Sequence, residues 1–352
     1  MSVGEASGDF RSDTVTRPSP GMLAAMAAAE VGDDVLDGDP TVARLEAWAA
    51  DWLGKDGALF VPSGTMANQC ALGAWTRPGD EVVAEASAHV VQWEGGALAA
   101  LHGVQSATVR ADDGRMDPDE VEALFRIDSI HCPRTALLCV EQTFMGTGVT
   151  VGGHVLPLAH LAELRARAER RGIPVHMDGA RLGNAVVASG HAAAELAACA
   201  DSVSICLSKG LGAPVGSLIA GPAEFLERAK AVRKRLGGWM RQAGYLAAAG
   251  LYALEHQLAD LEHDHALARR VAEVLDARPE LHCPPSEVET NIASARVEPP
   301  DLDAPEVARR LGAHGIRVLP LSPRSVRFCT HRDLGEPDLE LLARAVERAF
   351  SS

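Results

Sequence analysis

The chain has 352 residues, with 33 Lys+Arg against 48 Asp+Glu, a formal charge of 33 − 48 = −15. At roughly 150 residues per domain this is about two domains, and 47% hydrophobic residues against 23% charged provide for a large core, which excludes disorder as the main state. So negative a chain is repelled by nucleic acid and acidic membranes, which leaves small molecules as the expected partners.

The predicted elements, in chain order, begin with a helix after Asp39-Pro40-Thr41. Asp39 is its N-cap, Pro40 its first turn, and Gly54 its end, with Leu45, Trp48, Ala49 and Trp52 at helical spacing and both tryptophans expected in the core. Short apolar runs then alternate with helical segments: Ala58 to Val61, Glu81 to Ala84, Ala136 to Glu141, Ile173 to Met177, Ser202 to Leu207 and Ser217 to Ala220. This rhythm predicts a mostly parallel α/β sheet. A long helical pattern over Leu251 to Ala277 leads into Asn291 to Val297, Val307 to Ala313, Arg317 to Leu319, Val326 to Cys329 and Leu339 to Phe350, a strand-helix-strand-strand-helix order that predicts a smaller α+β domain. The expected organisation is an N-terminal arm over 1–20, a large α/β domain over 21–255 and a small C-terminal domain over 256–352.

Seven cysteines without a CxxC pair suggest neither a disulfide framework nor a zinc knuckle, and no HExxH or clustered ligand set points to a catalytic metal. The N-terminus lacks a basic start followed by an apolar run, and no stretch reaches the roughly 18 apolar residues of a membrane span. The expectation is a soluble cytoplasmic protein.

Three segments carry chemistry. In Ser204-Ile205-Cys206-Leu207-Ser208-Lys209-Gly210 a lysine ends a strand-like run. Desolvated there, its amine becomes a nucleophile able to form a Schiff base. In Val175-His176-Met177-Asp178-Gly179-Ala180-Arg181 a similar run ends in a carboxylate, 31 residues before the lysine, about one βα unit. Both groups then reach the carboxyl edge of the sheet, where open α/β folds bind ligands. Val61-Pro62-Ser63-Gly64-Thr65 places small residues at a strand-to-helix turn whose N–H groups and dipole favour an anion. A lysine carrying an aldehyde, a carboxylate for a pyridinium nitrogen and an anion site are what pyridoxal 5′-phosphate requires of a protein. The same segments also read as a strand-end lysine in water, a loop cap or Arg181 partner, and a Ser or Thr N-cap.

Together with Asp9 to Thr16, Gly32-Asp33-Asp34-Val35, Asp39 to Val42, Pro62 to Asn68, His176 to Arg181, Leu207 to Gly216, Met240 to Gly244 and Val326 to His331, these segments resemble the low-specificity L-threonine aldolases. The resemblance implies a fold type I (PLP-dependent transferase-like) large domain with a mostly parallel seven-stranded sheet. It implies retro-aldol cleavage of a β-hydroxy-α-amino acid to glycine and an aldehyde, in a homotetramer with active sites at dimer interfaces. By position, Lys209 holds the cofactor aldehyde, Asp178 pairs with the ring nitrogen, His89 stacks on the ring, and Ser63, Gly64 and Thr65 cup the phosphate. Arg181 lies near the cofactor oxygen and substrate carboxylate, which Ser12 and Arg327 clamp. Lys234 and Arg241 resemble a basic pair reaching a neighbouring subunit's phosphate, within a cluster of Arg228, Lys230, Arg233, Lys234, Arg235 and Arg241. His89 and His131 are the candidate bases, with a bound water as a further possibility, and Trp93 and Leu36 are expected beside the substrate. The chain departs from the family pattern at Leu36, in Phe144-Met145 and at Trp239, where a tyrosine, a His-Asn pair and a glycine are usual. A more apolar acceptor pocket follows. Competing readings are another reaction on the same scaffold (β-elimination, transamination or racemisation) and a catalytically silent binding protein.

Overall fold

The structure, a computed structural model, describes residues 8–127, 129–146 and 152–351. Its strands are β1 (Gly8–Asp9), β2 (Gly57–Val61), β3 (Glu81–Glu85), β4 (Gln105–Val109), β5 (Thr135–Glu141), β6 (Val175–Gly179), β7 (Ser202–Cys206), β8 (Ser217–Gly221), β9 (Leu281–His282), β10 (Ile292–Val297), β11 (Ile316–Arg317), β12 (Leu319–Ser322) and β13 (Ser325–Cys329). The main sheet has seven strands in the order β2-β8-β7-β6-β5-β3-β4. Neighbours are parallel except at β8, which runs antiparallel to β2 and β7. Helices cover both faces, so every residue of β5, β6 and β7 is buried, which is why these strands read as continuous apolar runs.

Strand β4 has no counterpart in the sequence reading. It lies at the sheet edge with Gln105, Ser106 and Thr108 exposed, so its composition carries no buried run. The first helix expected from the sequence forms over Pro40–Leu53, after a helix at Pro20–Ala27 that it did not signal: the Asp39 carboxylate accepts the N–H groups of Thr41 and Val42, and Gly54 closes the helix at φ +61°. Trp48 and Trp52 correct the expectation of core tryptophans, since they are partly buried and lie with ring centroids 5.6 Å apart at the core's margin. The predicted long helix is two helices, Gly244–His256 and Leu261–Asp276. The first buries Ala247, Ala249 and Leu254 in the core under the main sheet, while the second delivers Val271, Ala272 and Leu275 to another. The break at residues 257–260 redirects the chain between the two, and there Gln257 Nε2 donates to Ser19 Oγ at 3.1 Å.

The second core gathers around a four-stranded antiparallel sheet, β12-β13-β10-β9, with the helices Ala304–Gly312 and Glu336–Ala349. Phe10 belongs to it, because β1 pairs in parallel with β11. The run expected as one strand at Arg317 to Leu319 is divided at Val318, one part joining β1 and the other β13. These pairings bring Ser12 and Asp13 from the N-terminal segment, and Arg327 from β13, to the carboxyl ends of β5, β6 and β7.

Candidate active site

A cavity of about 360 Å³ opens at that edge, and its lining includes Ser12, Ser63, Gly64, Thr65, His89, Trp93, Asp178, Arg181, Lys209 and Arg327. Asp178 on β6 faces Ser204 on β7 in register, so the two strands are neighbours, and Lys209 follows the end of β7. Thr16 Oγ1 donates to the Lys209 carbonyl at 2.9 Å, fixing the turn that carries the amine.

The Asp178 carboxylate is buried but supplied with donors. Asn68 Nδ2 reaches Oδ2 at 2.7 Å, and the Ala180 N–H reaches Oδ1 at 3.0 Å. Each oxygen retains a lone pair for a further donor. The helix Gly64–Trp75 starts at the cavity with Ser63 as N-cap, its hydroxyl accepting the Met66 N–H at 3.2 Å. A Cβ at Gly64 would lie 2.5 Å from Cys206 Sγ, so only glycine lets this turn pack so closely against β7. Ser63, Gly64 and Thr65 therefore present a helix N-terminus to the cavity, suited to a phosphate.

The guanidinium of Arg327 is buried, and its Nε has no protein partner. Nη2 donates to the Arg11 carbonyl at 3.0 Å, while Nη1 lies 3.3 Å from Met145 Sδ. Burial pulls its pKa below the ordinary value, so an incoming carboxylate restores a lost partner. Arg181 is already committed: its Nε and Nη2 grip Asp13 at 2.8 and 2.7 Å. Its Nη1 and the second N–H of Nη2 are left to meet a ligand. Ser12 lines the cavity, but its hydroxyl is engaged with Thr14, whose N–H and Oγ1 lie at 3.2 and 2.9 Å.

His89 lines the cavity, with Nδ1 2.8 Å from Glu94 Oε1 and its backbone N–H 2.7 Å from Glu141 Oε2. Burial favours its neutral form, but the bond to Glu94 and the charges of Asp178 and Glu141 outweigh this and raise its pKa. Burial, reinforced by Asp178, pushes the Glu141 carboxyl up to about 7. Ligand atoms of His89, Glu94 and Asp178 lie within 4.8 Å of one another, but the two carboxylates are held apart by an amide, Asn68 Nδ2, which donates to both.

Several predicted residues lie elsewhere. His131 is exposed in the loop before β5, its N–H 3.2 Å from Ser129 Oγ, and it does not line this chain's cavity. Leu36 is 74% exposed outside the cavity. Phe144 turns away from it to pack on Gly114, whereas Met145 lines it. Trp239 donates from Nε1 to Asp34 Oδ2 at 2.6 Å beneath Arg233 and Lys234. Neither Lys234 nor Arg241 lines the cavity of its own chain, and Arg241 pairs with Asp33 at 2.9 Å. Of the basic cluster, Arg228 and Lys230 pair with acidic groups of their own helix, and Arg233 is buried against the Phe60 carbonyl. Asp13, Asn68, Glu94 and Glu141 were given no role by sequence reasoning. The one available signal was an asparagine on a helical face otherwise holding Ala67, Ala71 and Leu72.

The cavity thus has an amine, a carboxylate and an anion-binding turn for pyridoxal phosphate, and an under-bonded arginine for a carboxylate. The Beta-eliminating lyase family model matches residues 9–298. The chain is 42% identical to a probable low-specificity L-threonine aldolase 2 of Arabidopsis thaliana, over 98% of this chain and 97% of that one. It is 42% identical to the low specificity L-threonine aldolase of Escherichia coli K12, over 97% and 98%. The chain belongs to the low-specificity L-threonine aldolase family. Among solved structures, it aligns with a putative aromatic amino acid beta-eliminating lyase/threonine aldolase from an Exiguobacterium species with a TM-score of 0.79 and 26% identity, each chain covered to 98%. A Leishmania major threonine aldolase gives a TM-score of 0.80 at 21% identity, over 97% of this chain and 99% of that one, a likeness of fold.

Proposed function

We propose that this lyase uses pyridoxal phosphate to cleave L-threonine and related β-hydroxy-α-amino acids into glycine and an aldehyde. The observation that carries the reading is the meeting of Lys209, Asp178 and the under-bonded Arg327 in one cavity. Lys209 holds the cofactor aldehyde, Asp178 the ring nitrogen, and Ser63, Gly64 and Thr65 the phosphate. When bound, the cofactor supplies an electron sink for the pair released at Cα.

The chain's own groups do the rest. Arg327, assisted by Ser12 and by the free Nη1 of Arg181, would take the substrate carboxylate and fix the orientation of the bonds at Cα. Asp178, oriented by the donors Asn68 and Ala180, would hold a proton on the ring nitrogen. His89 removes the β-hydroxyl proton at Nε2, since it alone of the two histidine candidates lines the cavity. Trp93 and Met145 line the acceptor end and favour bulky, apolar β-substituents. No helix among the described residues is long and apolar enough to cross a membrane, and we place the enzyme in the cytoplasm. We further propose a homotetramer, in which Lys234 and Arg241 serve a neighbouring subunit; their absence from the lining of their own cavity and the exposed Leu36 and Tyr245 support this. Purified protein given L-threonine tests the reading. Acetaldehyde and glycine in equal amounts are expected, whereas ammonia with a keto acid would assign it to β-elimination.

A further inference from the structure

The lining of the cavity does not end at His89. Behind it, Glu94 has a fully buried side chain, held by two amide donors and facing the His89 ring. Oε1 receives Asn68 Nδ2 at 2.8 Å and His89 Nδ1 at 2.8 Å, and Oε2 receives Gln69 Nε2. The two amide nitrogens can only donate, and of a carboxyl and an imidazole sharing one proton the imidazole is the stronger base, so the proton between Glu94 and His89 sits on Nδ1.

The direction of these bonds is fixed from further back. Trp75 Nε1 donates to Ser202 Oγ at 2.8 Å, which leaves the hydroxyl proton of Ser202 available to His176 Nδ1 at 2.9 Å. His176 then carries its proton on Nε2 and donates to Asn68 Oδ1 at 3.2 Å, where Ser204 Oγ also donates at 2.8 Å. Burial holds the His176 pKa down to about 4, which keeps this ring neutral. With Oδ1 doubly occupied, Asn68 must turn its amide nitrogen to Glu94 and Asp178; the flipped amide would set an oxygen against two carboxylates.

We propose that Glu94 is a positioning residue: it fixes His89 as the Nδ1-protonated tautomer and presents the Nε2 lone pair to the reacting atoms, while Asn68 ties the same carboxylate to Asp178. This rests on the proposed role of His89 as base. The logic is that of a buried acid behind a catalytic imidazole. Glu141 and Asp178 also face His89, and the cations Lys209, Arg181 and Arg327 share the cavity, so a pH profile alone does not isolate the effect of Glu94.

The test therefore follows the His89 ring itself, by NMR of histidine-labelled full-length chain before and after loading with pyridoxal phosphate, its resonance identified by its loss in His89→Gln. In the wild type the neutral ring is expected with its proton on Nδ1. In Glu94→Gln, which preserves shape and removes the charge, the His89 midpoint is expected to fall by about one unit, the usual effect of losing an adjacent opposite charge. The acid limb of kcat is expected to move to lower pH with it, while kcat at its optimum drops about tenfold or more and KM stays within about threefold. If Glu94→Gln does not fold, Glu94→Asp is expected to give a smaller shift in the same direction. A wild-type ring protonated on Nε2, or an unchanged midpoint in either variant, overturns the proposal. Because the titration needs no turnover, failure to cleave L-threonine would overturn the assigned reaction and leave this result readable.

Discussion

Asp13 anchors the cation side of the cavity, and Asp13→Asn measures how much that anchor contributes. Its carboxylate is fully buried, takes Nε and Nη2 of Arg181 at 2.8 and 2.7 Å, and receives Asn291 Nδ2 at 3.2 Å. An amide of the same shape can accept one of these donors but turns its own N–H groups on the rest, leaving the Arg181 charge buried without a counterion. Breaking a buried pair in this way costs about 3–5 kcal/mol. At roughly 2 °C per kcal/mol for a chain of this size, the loss in Tm by calorimetry is about 6–10 °C. The pH dependence has a definite sign. Burial alone would raise the Asp13 pKa, but Arg181, Lys209 and Arg327 hold it far below the carboxylate range. Its contribution is therefore complete above the unfolded value of about 3.9 and fades as pH falls through the lower folded value. The wild-type and Asp13→Asn melting curves should stay apart from about pH 5 to 8 and converge only on strong acidification. A Tm loss below about 2 °C at neutral pH, or a gap that widens as pH falls, would refute the assignment.

Arg327→Lys removes the planar fork, so kcat/KM for L-threonine should fall by about 10–100-fold in steady-state assays while cofactor binding persists. Met145→Asn restores a polar group beside Arg327, and the kcat/KM ratio for phenylserine over threonine should drop by about tenfold, an unchanged ratio counting against an apolar acceptor pocket. Gly54→Ala places a side chain at φ +61° and should lower stability by about 1 kcal/mol in denaturant titration without affecting turnover.

The sequence exposed those parts of the site that lie where a local pattern ends. Lys209 and the Ser63-Gly64-Thr65 turn follow the ends of buried strands and Asp178 lies near the end of another, and such a change of pattern can be read from one chain. Asn68 shows only as a polar position on an apolar helical face and Glu94 lies in an otherwise unremarkable loop, because what defines them is a partner 110 residues away for one and a bond to His89 for the other. Asp13 was legible as part of a motif, but its role depends on the β1 and β11 pairing that brings the N-terminal segment across to Arg181. The edge strand β4 hid for the opposite reason: with three of its residues exposed it had no apolar signature. Leu36 and Phe144 show the limit of inference by position, since one is exposed and the other turns its ring into the interior.

The most direct test of the whole account is the visible absorption spectrum of the purified protein titrated with pyridoxal phosphate, read beside Lys209→Ala. A stoichiometric band of lysine-bound pyridoxal that appears in the wild type and is lost in Lys209→Ala, together with acetaldehyde and glycine formed from L-threonine by the wild type alone, is the predicted result. A band that survives in Lys209→Ala, or no band at all in a protein that still cleaves L-threonine, would contradict it.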